Sequence, residues 1–167
     1  MGLDVFLKID GIDGESSDHK HKSWIEVLSY SMGVSQPTGG AVSTAGGGTA
    51  QRANFHEFTF TKVLDKSSPK IALACADGTH IKEIILEVCR AGGTEKVKYY
   101  EIKMNECIIS AYRPAGNAQS AETIPMEEVA VDYGKIIWTY TQQQRKDGSP
   151  GGNVAGGWDR TSNQPIK

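Results

Sequence analysis

The chain opens on an alternation. Leu3, Val5, Leu7 and Ile9 fall at every second position, with Asp4, Lys8 and Asp10 between them and Phe6 as the exception. A period of two predicts a half-buried strand over 3–10. Gly11 and Gly14 mark the turn that follows. The polar run 19–22 reads as exposed loop. A second strand is predicted over 24–34. There Ile25 and Val27 share one face with Ser29 and Ser31, while Leu28, Tyr30, Met32 and Val34 share the other with Glu26. Apolar residues on both faces suit a strand packed on two sides.

Residues 35–52 break the pattern. Five glycines, one proline and small polar residues predict a long loop. Loops of this length inside a compact domain are uncommon unless they are functional or disordered. Alternation returns over 54–62, with Phe58 and Phe60 on the face of His56. A short helix is predicted over about 69–76. Ser68 suits its N-cap, Pro69 its first position and Gly78 the residue after its end. Further strands are predicted over 80–90, over 94–113 (one bent strand or two broken near Asn105), over 123–131 and over 133–142. Ala91, Gly92 and Gly93 read as a hairpin turn, and 114–121 as loop. Residues 146–167 read as a Gly-rich tail around a single Trp158, a large apolar side chain suited to anchor it. The sum is an all-β domain, barrel or sandwich, with one short helix and no repeat of fixed period.

A chain of 167 residues suits one domain, and a core of that size buries roughly 70% of the unfolded surface without staples. With 18 basic and 20 acidic residues the net charge is −2. That lacks the basic excess of a nucleic-acid grip and tolerates self-association. The first residues carry no basic leader followed by an apolar run, so no secretory signal is expected there. No apolar stretch approaches a membrane span. Cys75, Cys89 and Cys107 are odd in number and set among apolar residues, as buried free thiols would be.

Chemistry is hard to find. His19 and His21 stand two apart and could share a face, yet no Cys, Asp or Glu at a recognisable spacing completes a metal site, so both are expected in solvent. His56 and Glu57 are adjacent and point apart on a strand, as do Glu127 and Glu128. The glycine run 46–48 lacks the Gly-Lys-Ser/Thr ending of a phosphate loop. No nucleophile elbow, CxxC or HExxH appears. No cofactor is expected. A β-sandwich lectin, with Trp24 and Asp18 as its thin sugar-binding pair, is the competing reading; a hydrolase lacks any nucleophile–base arrangement.

The segments LDVFLKIDGIDGES, WIEVLSYSMGVSQP, FTFTKVLDKSSPKIALACADGTHI, CRAGG and GGWDRTSNQPIK, in this order and across the whole chain, resemble the haemolysin-coregulated protein (Hcp) family of type VI secretion. The resemblance implies a β-barrel-like pair of antiparallel sheets with one short helix. It also implies a ring of six copies, stacked into a tube inside a contractile sheath and capped by a tip spike protein. Such a protein is made in the bacterial cytoplasm and expelled through the machine, and it cradles small effectors in the ring lumen. It is not an enzyme, does not insert in membranes and binds no nucleic acid. On this reading the loop containing Pro37, Gly39, Gly40, Val42, Gly46, Gly47 and Gly48 stacks one ring on the next. Ser29, Ser31, Tyr30 and Met32 are candidates for the subunit interface or lumen, with the two serines toward the lumen. Trp158 is the tail anchor. With the sequence ending at Lys167, no fused toxin domain is expected, and killing activity would belong to cargo.

Overall fold

The computed structural model describes residues 3–38, 51–92, 95–119, 124–145 and 150–166. The strands are β1 (Leu3–Ile9), β2 (Ile25–Glu26), β3 (Ser29–Ser31), β4 (Val34–Ser35), β5 (Asn54–Phe55) and β6 (Phe58–Val63). Helix α1 (Ser68–Asp77) follows, then β7 (Ile81–Gly92), β8 (Glu95–Ala115), β9 (Met126–Gln143), β10 (Pro150–Asp159) and β11 (Gln164–Ile166). All pairings are antiparallel.

The main sheet runs β11-β10-β9-β8-β7-β1-β2, with β6 branching from β9 and β3 pairing β6. Two backbone bonds from the residues between β2 and β3 link β1 and β6: Val27 N–H donates to Val5 O at 3.0 Å and Leu28 N–H to Thr61 O at 2.8 Å. The segment 25–31 thus leans on β1 with its first half and on β6 with its second. The sheet curls barrel-like at this junction but is not one closed ladder. Inward side chains such as Leu7, Ile25, Phe58, Leu86, Ile102 and Val131 fill the curl and are almost wholly buried.

The alternation of β1 holds, and its exception is explained: Phe6 is buried on the outer side of the sheet, not the inner. Helix α1 starts and ends within one residue of expectation. Its N-cap is Ser67, with no side-chain capping bond, and Gly78 ends it in the left-handed region at φ 67°, where a missing Cβ removes the steric penalty.

Other boundaries moved. The strand expected over 24–34 is three short pieces, because it changes partners from β1 to β6 and then to β5. Strand β8 is continuous through Asn105, and the two strands expected over 123–142 are the single β9. Both bend together: Glu106 sits at φ 55°, and a Cβ on Gly134 would stand 2.7 Å from Glu106 Oε2. Across this bend the buried positions shift from Cys107 to Met104 on β8 and from Tyr133 to Ile136 on β9. A strict period of two cannot survive such a twist, so pattern reading saw two strands in β9 and left β8 as one bent strand or two. The expected hairpin residues Ala91 and Gly92 still belong to β7. The expected tail is also corrected in part: over 150–166 it forms β10 and β11, which extend the sheet beyond β9.

Candidate functional site

Strand β3 presents the expected interface residues on two different faces. Ser29 pairs with Thr61 and Ser31 with Thr59. These rows continue across β9 and β8 as Glu128 with Arg113, and Ala130 with Ala111. Ser29 Oγ and Thr61 Oγ1 share a hydrogen bond of 2.6 Å. The result is a band of small and polar side chains on the outer side of the sheet, with Ser29 and Ser31 exposed.

Tyr30 and Met32 point the other way. Tyr30 lies over Phe58 with ring centroids 6.5 Å apart, and Trp138 Nε1–H donates to Met32 Sδ at 3.1 Å. Tyr30 is nonetheless 37% exposed, because the core ends there. Tyr100, Tyr140 and Val154 form one row across β8, β9 and β10, and Tyr140 and Val154 are 48% and 70% exposed. Burial first, then neighbouring phenols, push the hydroxyls of Tyr30 and Tyr100 up. An apolar end on a strand row is costly in water unless another surface covers it.

Residues 39–50, with Gly39, Gly40, Val42, Gly46, Gly47 and Gly48, lie outside the described residues. Pro37 is described and half-buried. The segment is rooted in a two-rung ladder, Val34 with Phe55 and Ser35 with Asn54, and Gln36 Nε2 donates to Gln51 O across its base. Arg52 Nη2 then donates to Arg160 O at 2.7 Å. Arg160 is itself held by Asp132 Oδ1 at 2.9 Å and Tyr133 O at 2.7 Å. Half-buried Trp158, between Ile136 and Pro165 in register, packs on the core beside it. The loop base and the C-terminal hairpin therefore meet at one end of the molecule. An open pocket of about 590 Å³ lies between them.

Two buried polar clusters escaped sequence reading. In the first, Lys62 Nζ donates to Glu127 Oε2 at 2.8 Å and to Ser68 Oγ at 3.0 Å, and lies 3.0 Å from Asp65 Oδ1. Tyr112 OH donates to Glu127 Oε1 at 2.9 Å. The signal was present: Lys62 follows Phe58 and Phe60 inward on β6, and Glu127 precedes Val129 and Val131 inward on β9. Opposite charges at inward positions of pairing strands are what two buried partners require.

In the second cluster the expectation of a solvated His21 fails. The residue is 3% exposed, and its ring stacks on Phe6 with centroids 4.2 Å apart. Nδ1 lies 2.8 Å from Asp18 Oδ2 and Nε2 2.6 Å from Glu87 Oε2. Lys96 bridges Asp18 and Asp4 at 2.8 and 2.9 Å. These bonds, Lys96 foremost, hold the Asp18 carboxyl well below the usual range. Trp24 meets the His21 ring edge-on. Trp24 and Asp18, the pair a lectin would need, are thus both committed to holding His21. Cys89 and Cys107 are buried free thiols as expected, whereas Cys75 is only half-buried. Burial, then Glu87, pushes the Cys89 thiol up to about 11.

The model of the family described as type VI secretion system effector, Hcp, matches residues 6–140. Protein hcp1 of Pseudomonas aeruginosa is 34% identical, with 98% of each chain covered. This chain belongs to the Hcp family. Among solved structures, one described as a type six secretion system protein shares 30% identity and superposes with a TM-score of 0.91, covering 99% of this chain and all of that one. Hcp1 from Salmonella typhimurium shares 31% identity at a TM-score of 0.80, with the same coverage. The Hcp match extends past β9 through the C-terminal hairpin, so β10 and β11 belong to the shared fold. Among the described residues of this Hcp chain, no helix is long and apolar enough to cross a membrane.

Proposed function

We propose that this chain is the structural subunit of the type VI inner tube. Six copies close into a ring, rings stack into a tube within the sheath and behind the tip spike, and contraction expels the tube with small effectors in its lumen. The observation that carries this reading is the exposed apolar end formed by Tyr30, Tyr140 and Val154 on an Hcp fold. A closed ring needs one patch of each subunit to meet a different patch of the next, and this end supplies the first. The small polar band of Ser29, Ser31, Thr59 and Thr61 suits a wet lumen wall. The described residues that flank 39–50 meet the hairpin around Trp158 at Arg52 and Arg160, so the segment between them is the candidate for meeting a neighbouring ring.

The subunit works by assembly and not by catalysis. Supporting this, the Lys62–Glu127 pair has no exposed side-chain surface, so no substrate reaches it. Negative-stain electron microscopy of the purified chain tests the proposal. Annular particles with a central hole are expected; compact particles without one would contradict it.

A further inference from the structure

The outer face of β1 and β7 carries an imidazole, a carboxylate and a thiol packed together beneath the loop that joins β1 to β2. Phe6, Glu87 and Cys89 rise from the sheet, and His21 descends from the loop onto Phe6. Cys89 Sγ stands 4.0 Å from His21 Nε2, and the Nε2, Sγ and Glu87 oxygen donors all lie within 4.8 Å of one another.

Both ring nitrogens of His21 face carboxylate oxygens, so a neutral imidazole leaves one of them short of a partner. A neutral ring donating from Nδ1 to Asp18 turns a lone pair outward at Nε2. That lone pair faces a carboxylate oxygen 2.6 Å away, a repulsive contact unless a proton or a metal ion lies between them. A proton clamp would use the imidazole and the carboxylate alone. The sulfur beside them, 4.0 Å from Nε2, supplies a third donor that a metal ion can use. Ligand bonds of about 2.0–2.3 Å place the donor atoms of a tetrahedral zinc-class site about 3.3–3.6 Å apart. The observed separations are 2.6 Å for N to O and 4.0 Å for N to S, so binding requires the Glu87 carboxylate to draw back and the Cys89 sulfur to close in, each by a few tenths of an ångström. Asp18 completes the pattern, because a ligating histidine commonly gives its second N–H to a carboxylate that fixes its tautomer and tilt.

We propose that His21, Glu87 and Cys89 bind a zinc-class divalent cation, with Asp18 orienting the imidazole through Nδ1 and a water in the fourth position. The ion pins the loop to the sheet. Its ligands are far apart in sequence, which is why spacing alone did not reveal them. All its ligands belong to one chain.

Cobalt(II) is the probe, added to the full chain without a polyhistidine tag. It is added both to folded protein and during refolding from denaturant, so that a closed loop cannot mask the site. One equivalent per chain is expected to produce a near-ultraviolet sulfur-to-cobalt charge-transfer band with visible ligand-field bands, and added zinc should erase both. Cys89→Ser should remove the charge-transfer band, whereas Cys75→Ser should keep it. Asp18→Ala should weaken affinity about 10–100-fold while keeping the band. No band under either loading condition, or a band that survives Cys89→Ser, would overturn the proposal.

Discussion

Lys62 and Glu127 face each other across β6 and β9, with Nζ 2.8 Å from Oε2 and both side chains sealed from solvent. Around them Ser68, Asp65 and Tyr112 complete the bonds, so the pair ties the start of α1 to the sheet. Removing one partner leaves an uncompensated buried charge, which costs about 3–5 kcal/mol, while removing both can be nearly neutral. Lys62→Met alone should lower unfolding free energy by about that amount, and Lys62→Met with Glu127→Met should recover most of it. Urea unfolding of the two singles and the double measures the difference; additive losses would contradict the buried pair.

Alkaline stability follows from two groups in the core. Burial, followed by nearby Asp132, pushes the Cys107 thiol up to about 12 from 9.0. Burial pushes the Tyr133 hydroxyl up to about 12 from 10.0, against the pull of Arg160. Both groups stay protonated when folded and ionise earlier when unfolded. Their stabilisation is therefore complete below pH 9 and lost as pH rises toward 12. The urea midpoint should fall through that window, and Cys107→Ala should flatten the fall. A midpoint independent of pH there would contradict this burial.

Trp158 lies between Ile136 and Pro165 in register and rests on the core. Its ring is only half-buried, so Trp158→Ala should cost about 2 kcal/mol, less than the ~3–5 of a fully buried tryptophan. Thermal unfolding followed by circular dichroism checks this. An unchanged midpoint would show that the hairpin does not contribute to the fold.

Residues 39–50 lie between the two strands of the β4–β5 ladder. Deleting them should leave rings intact and abolish stacking into tubes, as seen by electron microscopy. Fixing glycine backbones at a contact carries a high entropy cost, so stacking in dilute solution should be weak even in the intact chain. Loss of the rings themselves would place the loop in the wrong interface.

The strands legible in the sequence were those with one partner on each side and no bend. β1 and β6 alternate cleanly, and α1 carries proline at its start and glycine past its end. The reading failed where strands change partner, as over 25–35, or twist, as at Gly134; at Glu106 it left one bent strand and two strands both open. It failed again at β10, whose glycines mimic a tail because its side chains contribute little to the core. Phe6 was visible as an exception in β1, but its cover, His21, comes from a loop with no period of its own. The thiol and carboxylate that join His21 arrive from β7, more than 60 residues away, beyond the reach of local spacing.

The most direct test of a ring built from this subunit is its mass in solution. Light scattering on the size-exclusion peak at micromolar concentration should give about six times the 18.1 kDa chain. Tyr140→Glu, which places a charge on the exposed apolar end, should reduce that mass to one chain with the circular dichroism spectrum unchanged. A single-chain mass for the unaltered protein would contradict the ring.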